Sequence, residues 1–307
     1  MYKSYFKFAM RQMWRKKMST AFNLIGLVLA FTVCGFIALH LQHELSYDSF
    51  HDESEDIYRV AWMNDNPQTR TPHPLAQSMV NDLPEVISAV SISPIYGPGL
   101  TKPVIKITLE EKNISFDEPD AFFADSTFFD VFSFKFLEGD KKTALTKSWG
   151  IVMTKSMAER YFGEEQAIGQ RLSFGENTDM LEVVAVVEDV PANSHFHFNF
   201  LISYVGLKSL GFNDPWMSWA DFGHFNYVKL APGTAASVVE SKIPEWALNY
   251  LDWSEAGAEA LLTGEDRFEL QPLEDIHLDS NIRWELESNS SFSYLLIYGI
   301  SGLFILL

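Results

Sequence analysis

Histidine, carboxylate and cysteine side chains and glycine-rich loops are where chemistry would be expected first. His195 and His197 form an H-x-H pair. On a β-strand both rings would face one side, which is the geometry of a metal pair. Glu188 and Asp189 lie close in sequence, but no third ligand has an obvious position, so we expect no metal. His40, His43 and Glu44 cluster at the end of an apolar run. They could bind a metal or sense pH, but interfacial polar side chains at a helix end are the commoner explanation. The stretch from Gly163 to Arg171, GEEQAIGQR, looks superficially like a phosphate loop. It lacks the G-x-x-x-x-G-K-[ST] frame, Gln170 stands where lysine is needed, and two glutamates would repel phosphate. A helix stop and a turn explain it. The carboxylate pairs Glu110-Glu111, Glu164-Glu165 and Glu188-Asp189 have nothing to fix their separation, as glycoside hydrolysis would require. Cys34 is the single cysteine. It lies in the most apolar stretch, and no Gly-x-Ser-x-Gly elbow is present, so nucleophilic catalysis has no candidate. We therefore expect no catalytic residues and no cofactor in this chain.

Charge and hydropathy give a clearer signal. The 307 residues carry a net charge of −18, very unevenly spread. Lys3, Lys7, Arg11, Arg15, Lys16 and Lys17 all precede residue 42, and no acidic residue does. Acidic side chains outnumber basic ones in the rest, 41 to 17, which argues against a nucleic-acid partner because phosphates need clustered cations. Residues 20–41 contain no Asp, Glu, Lys or Arg. Their length as a helix, roughly 33 Å, crosses a hydrocarbon core. No small-residue cleavage site follows, so an uncleaved span is expected rather than a signal peptide. Six basic residues before the run and a dense set of acidic ones after it place the N-terminus in the cytoplasm and the body outside. Tyr2, Tyr5, Phe6, Ala9, Met10, Met13 and Trp14 recur at helical spacing beside a basic face, as in a helix lying in the membrane interface. At the other end, residues 292–307 are also free of charge and read as the start of a second span, cut short.

Between the apolar ends the periodicity predicts a strand over 57–64, a helix over 73–83 and a strand over 86–93. The same order returns with a strand over 225–231, helical spacing over 234–251 and a strand over 267–273. Two β-α-β units so far apart imply one mixed sheet built from both ends of the body, with a second domain inserted. The insert reads as a hairpin over 104–116 turning near Glu111-Lys112-Asn113, a Phe-dense run over 121–136, a short strand over 151–153 and a helix over 156–162. A strong β run over 181–190, a turn at 191–194 and an alternating strand from His195 complete it.

Several segments together resemble the MacB/FtsX-type ABC-transporter permeases. These are the Gly-containing first span, YDSFH (47–51), DIYRV (56–60), FADSTFFDVFSFKFLEGD (123–140), GIVMTKSMAERYFGEEQAIGQRL (150–172), VVAVVEDVPANSHFHFNFLIS (183–203) and the second apolar run. The resemblance implies an α+β membrane protein. It would have a cytoplasmic basic amphipathic helix at 1–18 and a transmembrane helix at 19–42. An extracytoplasmic mixed α/β porter-like domain would follow in two halves, 43–103 and 210–290, around an inserted β-rich subdomain at 104–209, with the start of a second transmembrane helix at 291–307. It further implies an inner-membrane location, a separate ATPase subunit that holds the ATP and magnesium, a second permease copy or paralogue, and contact with membrane lipid. In that family the Asn-Ser-His stretch is a structural turn-to-strand junction. Tyr47, Asp48, Phe50, Tyr58 and Arg59 link the first span to the first strand and are the expected joint, with Asp48 capping a helix or pairing with Arg59. The alternative is a two-span membrane sensor with an extracytoplasmic ligand-binding domain.

Overall fold

A computed structural model describes residues 2–95, 104–109, 114–174, 180–210, 218–250, 254–278 and 282–286, with Gly299 and Gly302. The chain divides into two compact units, residues 1–46 with 289–307, and residues 47–288. The first unit contains helix α1 (Tyr2–Arg15) and helix α2 (Lys17–Glu44), separated at Lys16 where the backbone leaves helical geometry. Tyr5, Phe6 and Trp14 of α1 are exposed, as are most of the large apolar side chains of α2. By length and composition α2 is able to cross a membrane. The expected second span lies outside the described residues except for its two glycines.

The second unit is built on one mixed sheet. Strand β1 (Ile57–Met63) leads to helix α3 (Pro74–Asp82) and strand β2 (Val86–Pro94). Proline begins α3, where a missing N–H costs nothing, and the chain turns before Pro84. Next come β3 (Val104–Leu109), β4 (Ile114–Pro119), β5 (Ala121–Ala124), the single turn α4 (Phe128–Val131) and β6 (Phe136–Glu138). β7 (Gly150–Thr154) runs into α5 (Lys155–Phe162), and β8 (Arg171–Phe174), β9 (Met180–Val187) and β10 (Phe200–Ser203) follow. β11 (Phe225–Leu230), α6 (Ala236–Glu240), α7 (Ile243–Ala247), α8 (Glu255–Thr263) and β12 (Arg267–Pro272) close the order.

The strand sequence across the sheet is β12-β1-β11-β2-β5-β10-β7-β9-β8-β3-β4, with β6 beside β9. The first four strands are the two β-α-β units interleaved. β1 lies antiparallel between β11 and β12, and β11 lies antiparallel between β1 and β2. This split β-α-β arrangement forces the two ends of the body to share a ladder. The other strands all come from residues 104–203. β2 pairs directly with β5, so the sheet passes from one part to the other without a break.

Two expectations need correction. The helical spacing over 234–251 produces two short helices, because Pro244 at the start of α7 cannot continue the hydrogen-bond ladder of α6. The strand expected from His195 begins only at Phe200. Phe196 and Phe198 are still buried, but residues 195–199 spend their polar groups on other segments instead of a ladder. The turn at Glu111-Lys112-Asn113 lies outside the described residues.

One aromatic core supports the face beneath β11 and β10. Phe132 is fully buried, with its ring 5.1 Å from Phe128, 5.3 Å from Phe196, 5.0 Å from Tyr227 and 5.1 Å from the His51 imidazole. Edge-to-face and tilted contacts of this kind add to the transfer free energy of the rings. Phe132→Ala should lower unfolding free energy by about 3–5 kcal/mol, read from the denaturation midpoint of the detergent-solubilised chain. A loss under about 1 kcal/mol would mean that the ring is not a core element.

Candidate functional site

The segment after the apolar helix is held in the sheet domain by a sequence of buried polar contacts. Asp48 takes the left-handed conformation, φ 57°, which aspartate tolerates better than most residues. Its own N–H donates to Asn193 O (2.8 Å). Its carboxylate accepts from the His195 N–H (3.2 Å to either oxygen) and from Ser194 Oγ (3.2 Å). The turn Pro191–Ser194 is thereby clasped to residue 48. His195 Nδ1 lies 2.9 Å from Asp48 Oδ2, off the line that an ideal hydrogen bond would take, and its Nε2 lies 2.8 Å from Tyr227 Oη. Tyr227 sits opposite Arg59 in the β1–β11 ladder, and the guanidinium interacts with its hydroxyl. Arg59, fully buried, donates from Nη1 to Glu285 Oε2 (2.6 Å). From Nη2 it donates to Glu285 Oε1 (2.7 Å) and Gln271 Oε1 (2.5 Å).

The contacts fit one hydrogen arrangement. The Tyr227 hydroxyl donates to His195 Nε2, the proton on Nδ1 faces Asp48, and the Arg59 guanidinium acts on the Tyr227 hydroxyl through its charge. This tautomer is assigned from the contacts around the ring. A cation at one end and an anion at the other thus polarise the neutral groups between them in one direction. Burial raises the Tyr227 hydroxyl well above its ordinary range, with Glu285 and Asp48 adding to the effect and Arg59 opposing it, so it stays a donor. For Asp48, burial alone would raise the carboxyl. Its contacts with His195, and to a lesser extent the proximity of His51, outweigh burial and hold it below its ordinary value.

Of the expected joint residues, the structure brings four into this region. Tyr47 stacks on the His277 ring, centroids 3.3 Å apart and 10° from parallel. Phe50 meets Phe134 edge-on at 5.9 Å. Asp48 and Arg59 are both buried, but they do not pair with each other. Arg59 takes Glu285, and His195 with Tyr227 lies between, so the expected Asp48–Arg59 ion pair is corrected to a relayed one. Asp48 caps no helix either, because its carboxylate is committed to residues 194 and 195. Tyr58 points to the opposite face of β1 and is half-buried; burial first, then Asp56 and Glu240, raises its hydroxyl. Lys3, Lys7, Arg11 and Arg15 recur every fourth residue along α1, with Lys16 and Lys17 at its junction with α2.

The other motifs resolve as follows. The H-x-H pair does not lie on a strand, and His195 serves the buried relay. Among the described residues no group of three or more His, Cys, Asp and Glu is placed to hold a metal. Gly163 ends α5 at φ 66°, and the Gly169 N–H donates to Val183 O. That glycine amide is thus spent on the sheet rather than offered to a phosphate. His40 Nδ1 lies 3.7 Å from Glu44 Oε1.

Reading the sequence did not find His51, Tyr227, Gln271 or Glu285. Tyr227 and Gln271 lie in strands that carry other polar side chains, Asn226 and Lys229 in β11 and Arg267 and Glu269 in β12, so nothing in the sequence singles them out. Glu285 lies in an irregular stretch that carries no signal either. That stretch is nevertheless well anchored. Thr69 N–H donates to Arg283 O (3.1 Å), Thr69 Oγ1 donates to Trp284 O (2.8 Å), Arg283 N–H donates to Pro67 O (3.0 Å), and the Arg70 guanidinium lies 4.8 Å over the Trp284 ring.

The comparisons with known proteins agree with this architecture. A family model described as the MacB-like periplasmic core domain matches residues 20–245. No curated protein matches the chain. A crystal structure described as a domain of a permease protein from Porphyromonas gingivalis is similar at 20% identity, with TM-score 0.59, over 72% of this chain and 92% of that one. It shares the fold. The periplasmic region of MacB from Actinobacillus actinomycetemcomitans is similar at 14% identity, TM-score 0.48, over 73% and 91%. The extracellular domain of the noncanonic ABC-type transporter YknZ from Gram-positive bacteria is similar at 11%, TM-score 0.44, over 70% and 99%. These two similarities are too loose to carry an argument.

His51 gives a pH signature for the joint. Its Nδ1 accepts from the Ser133 N–H (3.0 Å), and burial pulls its pKa down to about 4, against the opposing charge of Asp48. The folded state therefore holds His51 neutral while the unfolded chain protonates near pH 6.5. Its contribution is full above that pH and is lost as pH falls toward 4, a change of about 3 kcal/mol. His51→Asn, which keeps an acceptor for Ser133, should flatten the stability slope between pH 6.5 and 4. An unchanged slope in pH-dependent denaturation would remove His51 as its source.

Proposed function

The chain belongs to the family of MacB-like periplasmic core domains, and from that membership we propose that it is the permease subunit of an ABC-type transporter in the inner membrane. In this reading its N-terminus is cytoplasmic and its sheet domain periplasmic, a direction that the charge asymmetry across α2 supports. ATP is hydrolysed on a separate cytoplasmic subunit, and the permease works beside a second copy or a paralogue. Movement of the membrane segments is converted into movement of the sheet domain, which expels or extracts a substrate on the far side. This chain contributes force transmission and no bond chemistry.

One observation carries the reading. The buried relay from Asp48 to Glu285 ties the residues that follow the first apolar run to the residues that precede the second. A mechanical coupler needs its two connections held in one stiff body, because coupling passes through elements with defined alternative arrangements and is lost in a compliant joint. The bidentate Arg59–Glu285 pair and the Asp48 clasp are stiff, and severing either would leave a buried charge without its partner.

The test is purification from native membranes after crosslinking, followed by hydrogen exchange in the presence of ATP or ADP. A stoichiometric ATPase carrying a phosphate-binding loop is expected. Exchange at residues 47–51 and 193–195 should differ between the two nucleotides by at least severalfold. Recovery of a histidine kinase or response regulator in place of the ATPase would establish the sensor alternative and end the permease reading.

A further inference from the structure

A cavity of about 350 Å³ opens beside the joint, lined by Phe50, Asp52, Phe134, Lys135, Glu188 and Asp189 together with Ser133 and Pro191. Its walls are the three segments that the joint brings together: the loop after Asp48, the chain leading from α4 into β6, and the end of β9. The volume is at the lower end of the range for small-molecule sites. Two aromatic rings form its apolar part. Phe134 is backed by Phe128 and Phe198, with centroids at 5.9 and 5.0 Å, and Phe50 is backed by His51 at 4.0 Å. Both rings are thus held by the core on one side while lining the cavity.

The charge around these rings is not balanced. Lys135 pairs with Glu188, which cancels one carboxylate. Among the described residues Asp189 is held by neutral donors, accepting from Ser156 N–H (2.9 Å) and Ser156 Oγ (2.5 Å). The Asp52 backbone donates to Ser133 Oγ (3.0 Å), which fixes the residue at the rim, and its carboxylate has no lysine or arginine partner among the described residues. Two negative charges are therefore left beside two fixed aromatic rings. Ring faces attract cations, and carboxylates add to that attraction; neutral and anionic groups gain nothing comparable.

The geometry points to a binding site for a small organic cation with an apolar body, of the arylalkylammonium class. The apolar body lies between Phe50 and Phe134, and the ammonium faces Asp52 and Asp189. The site stands independently of the transporter reading, since nothing in it requires an ATPase.

The experiment uses the full chain in nanodiscs of zwitterionic lipid, with empty nanodiscs as the control, and benzyltrimethylammonium as the probe. Saturation-transfer NMR and titration should show saturable binding. Phenylacetate and the uncharged carbon analogue of the probe should bind at least tenfold more weakly. Asp52→Asn, which keeps the backbone bond to Ser133, should weaken the probe about tenfold. Lys135→Ala should tighten it severalfold by releasing Glu188, a gain that misfolding could not mimic. Equal binding of the cation and its uncharged analogue, no saturable binding above empty nanodiscs, or a Lys135→Ala variant that binds no better than wild type would each overturn the site.

Discussion

An arginine and an aspartate are both buried in the sheet domain, and neither could remain charged there alone. Moving an unpaired ion from water to a protein interior costs several kcal/mol even after relaxation. The chain meets that cost with groups distant in sequence: Glu285 and Gln271 for Arg59, and Ser194 and His195 for Asp48. His195 and Tyr227 connect the two charges. The segments that carry these residues must therefore come together before either charge can be buried, which makes the relay a condition on the fold as well as a feature of it.

The interleaved β-α-β units are what make such a relay possible. β1 lies between β11 and β12, so a side chain near residue 59 has neighbours from residues 227 and 271 without any loop having to reach across. The inserted strands extend the same sheet and supply the Pro191–Ser194 turn that closes on Asp48. The aromatic core beneath, centred on Phe128, Phe132 and Phe196, sets the height at which His195 and Tyr227 meet. A joint built this way resists bending because the His195 and Tyr227 rings pack on Phe196 and Phe132, and close-packed cores transmit displacement with little compression.

Much of the scaffold was legible from periodicity. The strands over 57–63, 86–94, 225–230 and 267–272 have strong alternating or apolar runs, and their β-α-β order predicted a sheet made from both ends. The separation of α6 from α7 is signalled by Pro244, which interrupts spacing that is otherwise helical. The irregular course of residues 195–199 was not legible, because buried phenylalanines alternate there as they would on a strand while the backbone bonds elsewhere. Asp48 and Arg59 were identifiable as joint residues from their position, but their partners were not. A partner 147 or 226 residues away is set by tertiary geometry alone. His195 stands out in the sequence through its spacing from His197, a pair from which no metal site is expected, but its place as a bridge between charges depends on Asp48 and Tyr227, which lie far off in sequence.

A double-mutant cycle between Asp48 and Arg59 measures the relay directly. The two side chains are not paired, so independent sites would give stability losses for Asp48→Asn and Arg59→Gln that add to within about 0.3–0.5 kcal/mol. A connected relay predicts a coupling energy of about 1 kcal/mol or more in denaturation of the intact chain, and its collapse when Tyr227→Phe removes the bridging hydroxyl. Strict additivity, with or without that hydroxyl, would show that the two ends of the domain are held separately and would contradict the account.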